Sequence, residues 1–297
     1  MFVQANSMVS SSDLYSRLDA ARKKSQEDRE EAFWRTHRKV SVSCEKHGET
    51  EVIVSLKPDG TWTEAKCPEC RAEAQKRERL EYDFKMSASA AAGTFRELIG
   101  QRYEPSTARF STYRCENAQQ TKALRVCHRF AKNFIPRVMA KDDMAGAGLL
   151  LIGNFGTGKT HLAKSILADL ASQGVDSVYL CAPDLFDDLN GSGSQPQLYL
   201  SRLCRVACLV IDEIGVQSWS DAERKRIHQI IDRRWTAHLP TIFVTNLNRK
   251  ELTECLGERV MSRLAESTYP VVFSWEDNRQ RKRLEDMPLE EVFGGAQ

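Results

Sequence analysis

The sequence lacks any apolar run approaching the roughly 20 residues that a helix needs to cross a bilayer, so no membrane-spanning role is expected. Its first residues, MFVQANSMVSSSDLYSRLD, lack the basic start and apolar core of a secretory signal. That absence points to the cytoplasm, where thiols stay reduced, and so excludes a disulfide framework as the use of the nine cysteines. An excess of one charge is missing too: 43 lysines and arginines stand against 41 aspartates and glutamates, a net of +2. Bulk charge therefore does not mark a nucleic-acid binder, and any such contact must come from local patches. What remains, 41% hydrophobic and 28% charged over 297 residues, is ordinary for a globular chain of about two domains.

One stretch carries most of the chemistry. The apolar run Leu149–Ile152 ends at Gly153, and Gly158, Lys159 and Thr160 follow, giving G-x-x-x-x-G-K-T. This spacing is that of a phosphate-binding loop. A buried strand delivers the chain to a turn, and glycines let backbone N–H groups approach phosphate oxygens. The helix that begins at His161, Leu162 and Ala163 points its positive end at the same place. Gly153, Asn154, Phe155, Gly156, Thr157, Gly158, Lys159 and Thr160 are thus expected to bind ATP. Lys159 is expected on the outer phosphates and the Thr160 hydroxyl on Mg²⁺.

A second constellation lies upstream. Cys44-x₂-His47 is followed, after nineteen residues, by Cys67-Pro68-Glu69-Cys70. Two ligand pairs so separated fit a four-ligand structural zinc site, with a histidine replacing one cysteine. Between them Val52, Val54 and Leu56 alternate, Pro58-Asp59-Gly60 makes a turn, and Thr61, Trp62 and Thr63 lead back. The expectation is a β-hairpin with a metal knuckle at its base. So small a unit buries too little to fold alone, and Zn²⁺ would supply the difference.

The rest of the chain organises around these two sites. Residues 13–39 read as a charged helix with a thin apolar stripe, residues 71–86 as another helix, and the small-residue run Ser87–Gly93 as the start of a linker. The expected partition is a helical segment over 1–40, a zinc ribbon and helix over 41–86, a linker over 87–107 and an ATPase domain over 108–297. An amphipathic helix is expected over 117–135. After the loop, strands at 177–181, 208–211, 241–245 and 269–273 alternate with helices at 183–207, interrupted at Gly191–Ser194, and at 220–237 and 250–266. That alternation implies an α/β fold with a parallel sheet flanked by helices. CLVIDE (208–213) puts Asp212 at the carboxyl end of a buried strand, where ligands bind in open α/β sheets. Asp212 can hold Mg²⁺ with Thr160, and Glu213 is the candidate to activate an attacking water. Asn246 ends the next strand, within reach of the same water.

Four strings, VIDEIGVQ (210–217), IIDRR (230–234), VTNLN (244–248) and LGERVMSRL (256–264), resemble DnaC-type replicative helicase loaders. They are shared more loosely with DnaI-type loaders and IstB-type transposition ATPases. The resemblance covers about residues 108–281 and implies an AAA+ fold of the replication-initiator clade. It also implies roles: Asn246 as the first sensor, Arg263 as an arginine finger reaching a neighbouring subunit, with Arg259 on the same helical face, and Arg279 in WEDNRQR as the second sensor. A finger acting in trans completes the site only between subunits, so self-association is implied. Residues 183–205 correspond to the family's helical insertion, with Tyr199, Arg202 and Arg205 as candidate contacts to single-stranded DNA. Arg224, Lys225 and Arg226 form a second basic patch.

The function expected is ATP-dependent loading of a hexameric replicative DNA helicase onto single-stranded DNA, with the zinc-bearing N-terminal region gripping the helicase. An IstB-like transposition helper that binds DNA and recruits a transposase is the alternative. A zinc-dependent DNA-binding or adaptor protein with a vestigial nucleotide site is a third class.

Overall fold

The computed structural model describes residues 11–99, 107–140, 147–190, 196–215 and 219–276. The chain divides into two compact units, Met1–Arg79 and Leu80–Gln297. Among the described residues no helix is long and apolar enough to cross a membrane.

In the first unit, helix α1 (Ser11–Thr36) leads into an antiparallel pair, β1 (His37–Cys44) and β2 (Gly48–Ser55). The expected helix over 13–39 therefore stops earlier, because Val40 and Val42 already alternate with polar residues and pair with Val52 and Thr50. The hairpin also differs from the one expected. Its turn is Glu45–His47, inside the first ligand pair, and Val52 and Val54 are its buried positions. The expected return strand at Thr61–Thr63 shrinks to the Leu56–Trp62 bridge and the Thr63 N–H bond to Ser55 O, 2.9 Å. Asp59 Oδ1 closes the turn before it, accepting from Thr61 N at 2.9 Å.

Helix α2 (Pro68–Ile99) begins with proline at its first position, where the missing N–H is no loss. Residues 87–99, expected as linker, are its last turns. Alanine is the best helix former, and the small side chains let Ala88, Ala92 and Phe95 bury against the second unit's core. Arg96 and Ser89 tie this stretch to Asp176, at 3.6 and 2.9 Å.

The second unit is built on a five-stranded, all-parallel sheet in the order β4-β5-β6-β3-β7. The strands are β3 (Gly148–Gly153), β4 (Val178–Cys181), β5 (Leu209–Ile214), β6 (Thr241–Thr245) and β7 (Thr268–Phe273). The central strands read as unbroken apolar runs because both faces are covered. Leu149 and Leu151 point to one face, with Ala123, Phe130, Leu162 and Ile166 of α3 (Ala118–Lys132) and α5 (Lys159–Ser172). Leu150 points to the other, with Phe186, Leu200, Ile227, Ile230 and Leu264. Those come from α6 (Ala182–Asn190), α7 (Pro196–Leu203), α8 (Asp221–Thr236) and α10 (Glu258–Ser267). Short α4 (Phe134–Ala140) completes the first layer. Each fully buried Leu or Ile contributes about 1.5–3 kcal/mol, which is why these runs place the sheet.

Two local features shape the ends of elements. The single helix expected at 250–266 is broken into α9 (Arg249–Leu256) and α10 by Gly257, at φ 83°, a value glycine adopts without strain. Ser220 caps α8 by accepting from Glu223 N at 3.3 Å, while the Glu223 carboxylate accepts in return from Ser220 N at 2.7 Å. The expected break at Gly191–Ser194 lies outside the described residues.

Candidate active site and a Cys/His cluster

The sheet sends β3, β5 and β6 side by side to one edge, with β6 between the other two. At that edge β3 turns at Gly153 (φ 147°), the loop bends at Gly156 (φ 69°), and Gly158 (φ 89°) caps α5. A Cβ on Gly153 would lie 2.1 Å from Phe273 O, so only glycine fits against β7. Tyr113 Oη and Trp275 Nε1 both donate to Thr157 O, at 3.3 and 3.0 Å, and hold the loop from outside. Lys159 is buried and lies along the loop, its Nζ donating to Gly153 O at 2.7 Å and Asn154 O at 2.5 Å. Thr157 Oγ1 also donates to Asn154 O, at 2.8 Å, while Phe155 points into solvent.

Asp212 joins this loop to β5. The residue is 2% exposed, and its Oδ2 accepts from Thr160 Oγ1 at 2.7 Å. The same oxygen accepts from Tyr179 Oη at 2.9 Å, and Oδ1 accepts from Glu213 N at 2.7 Å. A bulge between Ile211 and Ile214 puts Glu213 at φ 61° and turns its side chain outward. Bulges beside active sites re-aim side chains in this way. The pairing resumes at Ile214, whose carbonyl accepts from Thr245 Oγ1 at 2.6 Å. Asn246 follows at once, half-buried, at the carboxyl end of the strand between β5 and β3. The oxygen-rich pair of half-buried Thr160 and buried Asp212 beside a glycine loop is the donor set that a hard cation with phosphate ligands takes.

Tyr179 was not singled out from the sequence. Burial and the Asp212 carboxylate push its phenol well above its ordinary value, so it stays a donor. Nothing in the sequence reveals which residue of β4 faces Asp212, since that depends on strand register.

The expected arginines fall elsewhere. Arg263 on α10 pairs within the chain with Asp232, 2.9 Å, and Glu266, 2.7 Å, and these carboxylates raise its already high value. Arg259 Nε donates to His228 Nε2 at 3.1 Å, and His228 Nδ1 faces Asp232 at 3.0 Å. Arg279 lies outside the described residues. Tyr199 is corrected outright as a candidate DNA contact: it is buried, its ring packs edge-on against Phe95, and its hydroxyl donates to Asp188 at 3.1 Å. The aromatic was needed in the core to seat α2. Arg202 donates to Thr94 O at 3.0 Å and Arg224 to Cys255 O at 2.8 Å, whereas Arg205 is exposed.

In the first unit the four expected metal ligands converge. The donor atoms of Cys44, His47, Cys67 and Cys70 all lie within 4.8 Å of one another. The end of β1 and the turn after it present the first pair, and the residue before α2 and its first turn the second. His47 Nδ1 is 3.7, 3.5 and 3.3 Å from the sulfurs of Cys44, Cys67 and Cys70, and Cys44 and Cys70 are 3.5 Å apart. Tetrahedral zinc, with Zn–S near 2.3 Å and Zn–N near 2.0 Å, requires edges of about 3.5–3.8 Å. His47 Nε2 faces Glu69 and Glu73 at 3.4 and 3.5 Å, as ligating histidines face carboxylates elsewhere. Backbone N–H groups of His47 and Lys46 bring the Cys44 thiol down to about 6, and donation to Cys44 pushes Cys70 up to about 11.

Known proteins share this architecture. A family model described as IstB-like ATP binding protein matches residues 143–266. The replicative helicase loader DnaC of Escherichia coli (strain K12) is 36% identical over 178 residues, covering 58% of this chain and 69% of that protein. The crystal structure of DnaI superposes with a TM-score of 0.50 at 27% identity, covering 56% of this chain and 90% of that one. The replication initiator DnaA bound to AMPPCP and single-stranded DNA gives a TM-score of 0.52 at 14% identity, covering 64% and 59%, a likeness of fold.

Proposed function

The chain belongs to the DnaC family of replicative helicase loaders, and from that premise we propose that it uses ATP to deliver a hexameric replicative helicase onto single-stranded DNA in the cytoplasm. Its second unit is an AAA+ ATPase fold. The observation that carries the proposal is the 2.7 Å bond from Thr160 to Asp212, which joins the glycine loop to the acidic strand in one site. Residues Gly153–Thr160 bind ATP, Lys159 neutralises its outer phosphates, and Thr160 and Asp212 hold Mg²⁺. The cation, when bound, withdraws charge from the phosphates. Glu213, turned out by the bulge, takes the proton of the attacking water, and Asn246 orients that water. Arg263 leaves Asp232 and Glu266 to reach the γ-phosphate of a neighbouring subunit, and Arg279 contacts the nucleotide of its own. The Cys44/His47/Cys67/Cys70 cluster holds a structural Zn²⁺, and the N-terminal region that it organises grips the helicase.

Co-purification of the tagged chain with host replicative helicase tests the reading. Recovery of the hexameric helicase that changes between ATP and no nucleotide, and no longer changes in Lys159→Ala, is the result expected. Because the matched family model is the IstB-like one, recovery of a transposase in place of the helicase is the outcome that reverses the assignment.

A further inference from the structure

Asp212 has more partners than a phosphate loop and its cation require. The parallel pairing of β4 with β5 sets Cys181 beside Asp212 and Tyr179 beside Val210, and from there the phenol reaches the carboxylate. Tyr179 Oη donates to Oδ2 at 2.9 Å, the oxygen that also accepts from Thr160 Oγ1 at 2.7 Å. Glu213 N donates to Oδ1 at 2.7 Å. A carboxylate offers about four lone-pair directions. Among the described residues three are thus filled, two of them on Oδ2, and the one left open is on Oδ1. The phenol is itself held. Its ring sits on β4, Lys164 Nζ lies 4.4 Å from the ring centroid, and Cys181 Sγ approaches the phenolic oxygen at 3.8 Å.

We propose that Tyr179 is the positioning residue of the cation site: by donating to Asp212 Oδ2 it fixes the plane of the carboxylate and leaves Oδ1 alone to face a water on the cation. This rests on the Mg²⁺–ATP reading of the loop. Tyr179 acts through Asp212, the carboxylate that accepts its hydroxyl. Partners that orient metal ligands in this way characteristically change metal affinity about 10–100-fold when removed. The strand itself does not need the hydroxyl, because phenylalanine would keep the ring, its packing and the Lys164 contact.

Tyr179→Phe in the full-length chain is the test. Binding of a fluorescent ATP analogue is followed by anisotropy while Mg²⁺ is titrated, and Mn²⁺ binding with the same analogue is followed by electron paramagnetic resonance. The expected result is a roughly 10-fold rise in the Mg²⁺ and Mn²⁺ concentrations for half-saturation. Analogue affinity in EDTA should be unchanged, and the melting temperature should stay within about 2 °C of the parent. Unchanged half-saturation in Tyr179→Phe overturns the proposal, and so does a melting temperature lower by more than about 5 °C, which would make the bond one of stability alone. If the parent chain binds the analogue with no dependence on divalent cation, the Mg²⁺–ATP reading itself is wrong.

Discussion

Truncating Arg234 is expected to cost the second unit several kcal/mol of stability without touching the candidate active site. It is fully buried, and among the described residues no carboxylate pairs with it. Nε donates to Thr241 Oγ1 at 2.8 Å, Nη1 to Leu203 O at 3.1 Å and Val206 O at 2.7 Å, and Nη2 to Pro240 O at 2.7 Å. The guanidinium thereby ties the ends of α7 and α8 to the starts of β5 and β6. Arg234→Ala takes the donor from Val206 O and leaves Pro240 O only the 3.5 Å approach of Leu209 N. One stranded and one weakened acceptor together cost about 2–4 kcal/mol. The empty volume adds about 2–5 kcal/mol by analogy with other large-to-small core changes. Against this stands relief from burying a charge. Desolvation has brought the guanidinium from 12.5 down to about 10. That fall is worth roughly 3 kcal/mol, regained when the charge is removed. The net is a loss of about 4 kcal/mol, or a fall of roughly 10 °C in melting temperature for a unit of this size. Circular dichroism melts and urea titrations measure it. Nucleotide affinity at 20 °C should survive, since β5 and β6 carry the site at their opposite ends. A melting temperature within about 3 °C of the parent, or lost nucleotide binding in a chain that is still folded, would refute the reasoning.

Further outcomes follow from the same geometry. Freshly purified, reduced protein should contain one zinc per chain by elemental analysis. Cys67→Ser should release it and unfold residues 37–70 while sparing the ATPase unit, and absence of zinc in the parent would remove the metal from the account. Glu213→Gln should retain ATP binding yet slow turnover by about 10²-fold or more, and parent-like hydrolysis would show that another group activates the water. Arg263→Ala should bind ATP normally but hydrolyse it roughly 10³-fold more slowly once assembled; normal turnover in the assembled state would dismiss a finger acting in trans.

Much of the candidate site is legible in the sequence. The glycines, Lys159 and Thr160 are adjacent in the chain, so their spacing alone carries the loop. Asp212 could be read because a buried parallel strand ends in acid at one predictable edge. The Cys44/His47 and Cys67/Cys70 cluster was legible as two pairs, although the hairpin between them was not, since the alternation at Val40 and Val42 lay hidden behind a charged helix. Misreadings fell where composition and packing diverge. The alanine-rich run at 87–92 looks like a linker and is helix, and Tyr199 looks like a DNA contact and is core.

The sequence by itself determined the period-driven elements, the parallel sheet and the identity of the residues at its carboxyl edge, because strand burial and loop spacing are local properties. Only the tertiary structure decided which side chains from other strands meet them. Tyr179 on Asp212, Trp275 and Tyr113 on Thr157, and Arg234 under β5 and β6 all depend on register between segments distant in the chain. A one-residue slip of β4 against β5 would turn Tyr179 to the opposite face, and that register is chosen by the packed core as a whole.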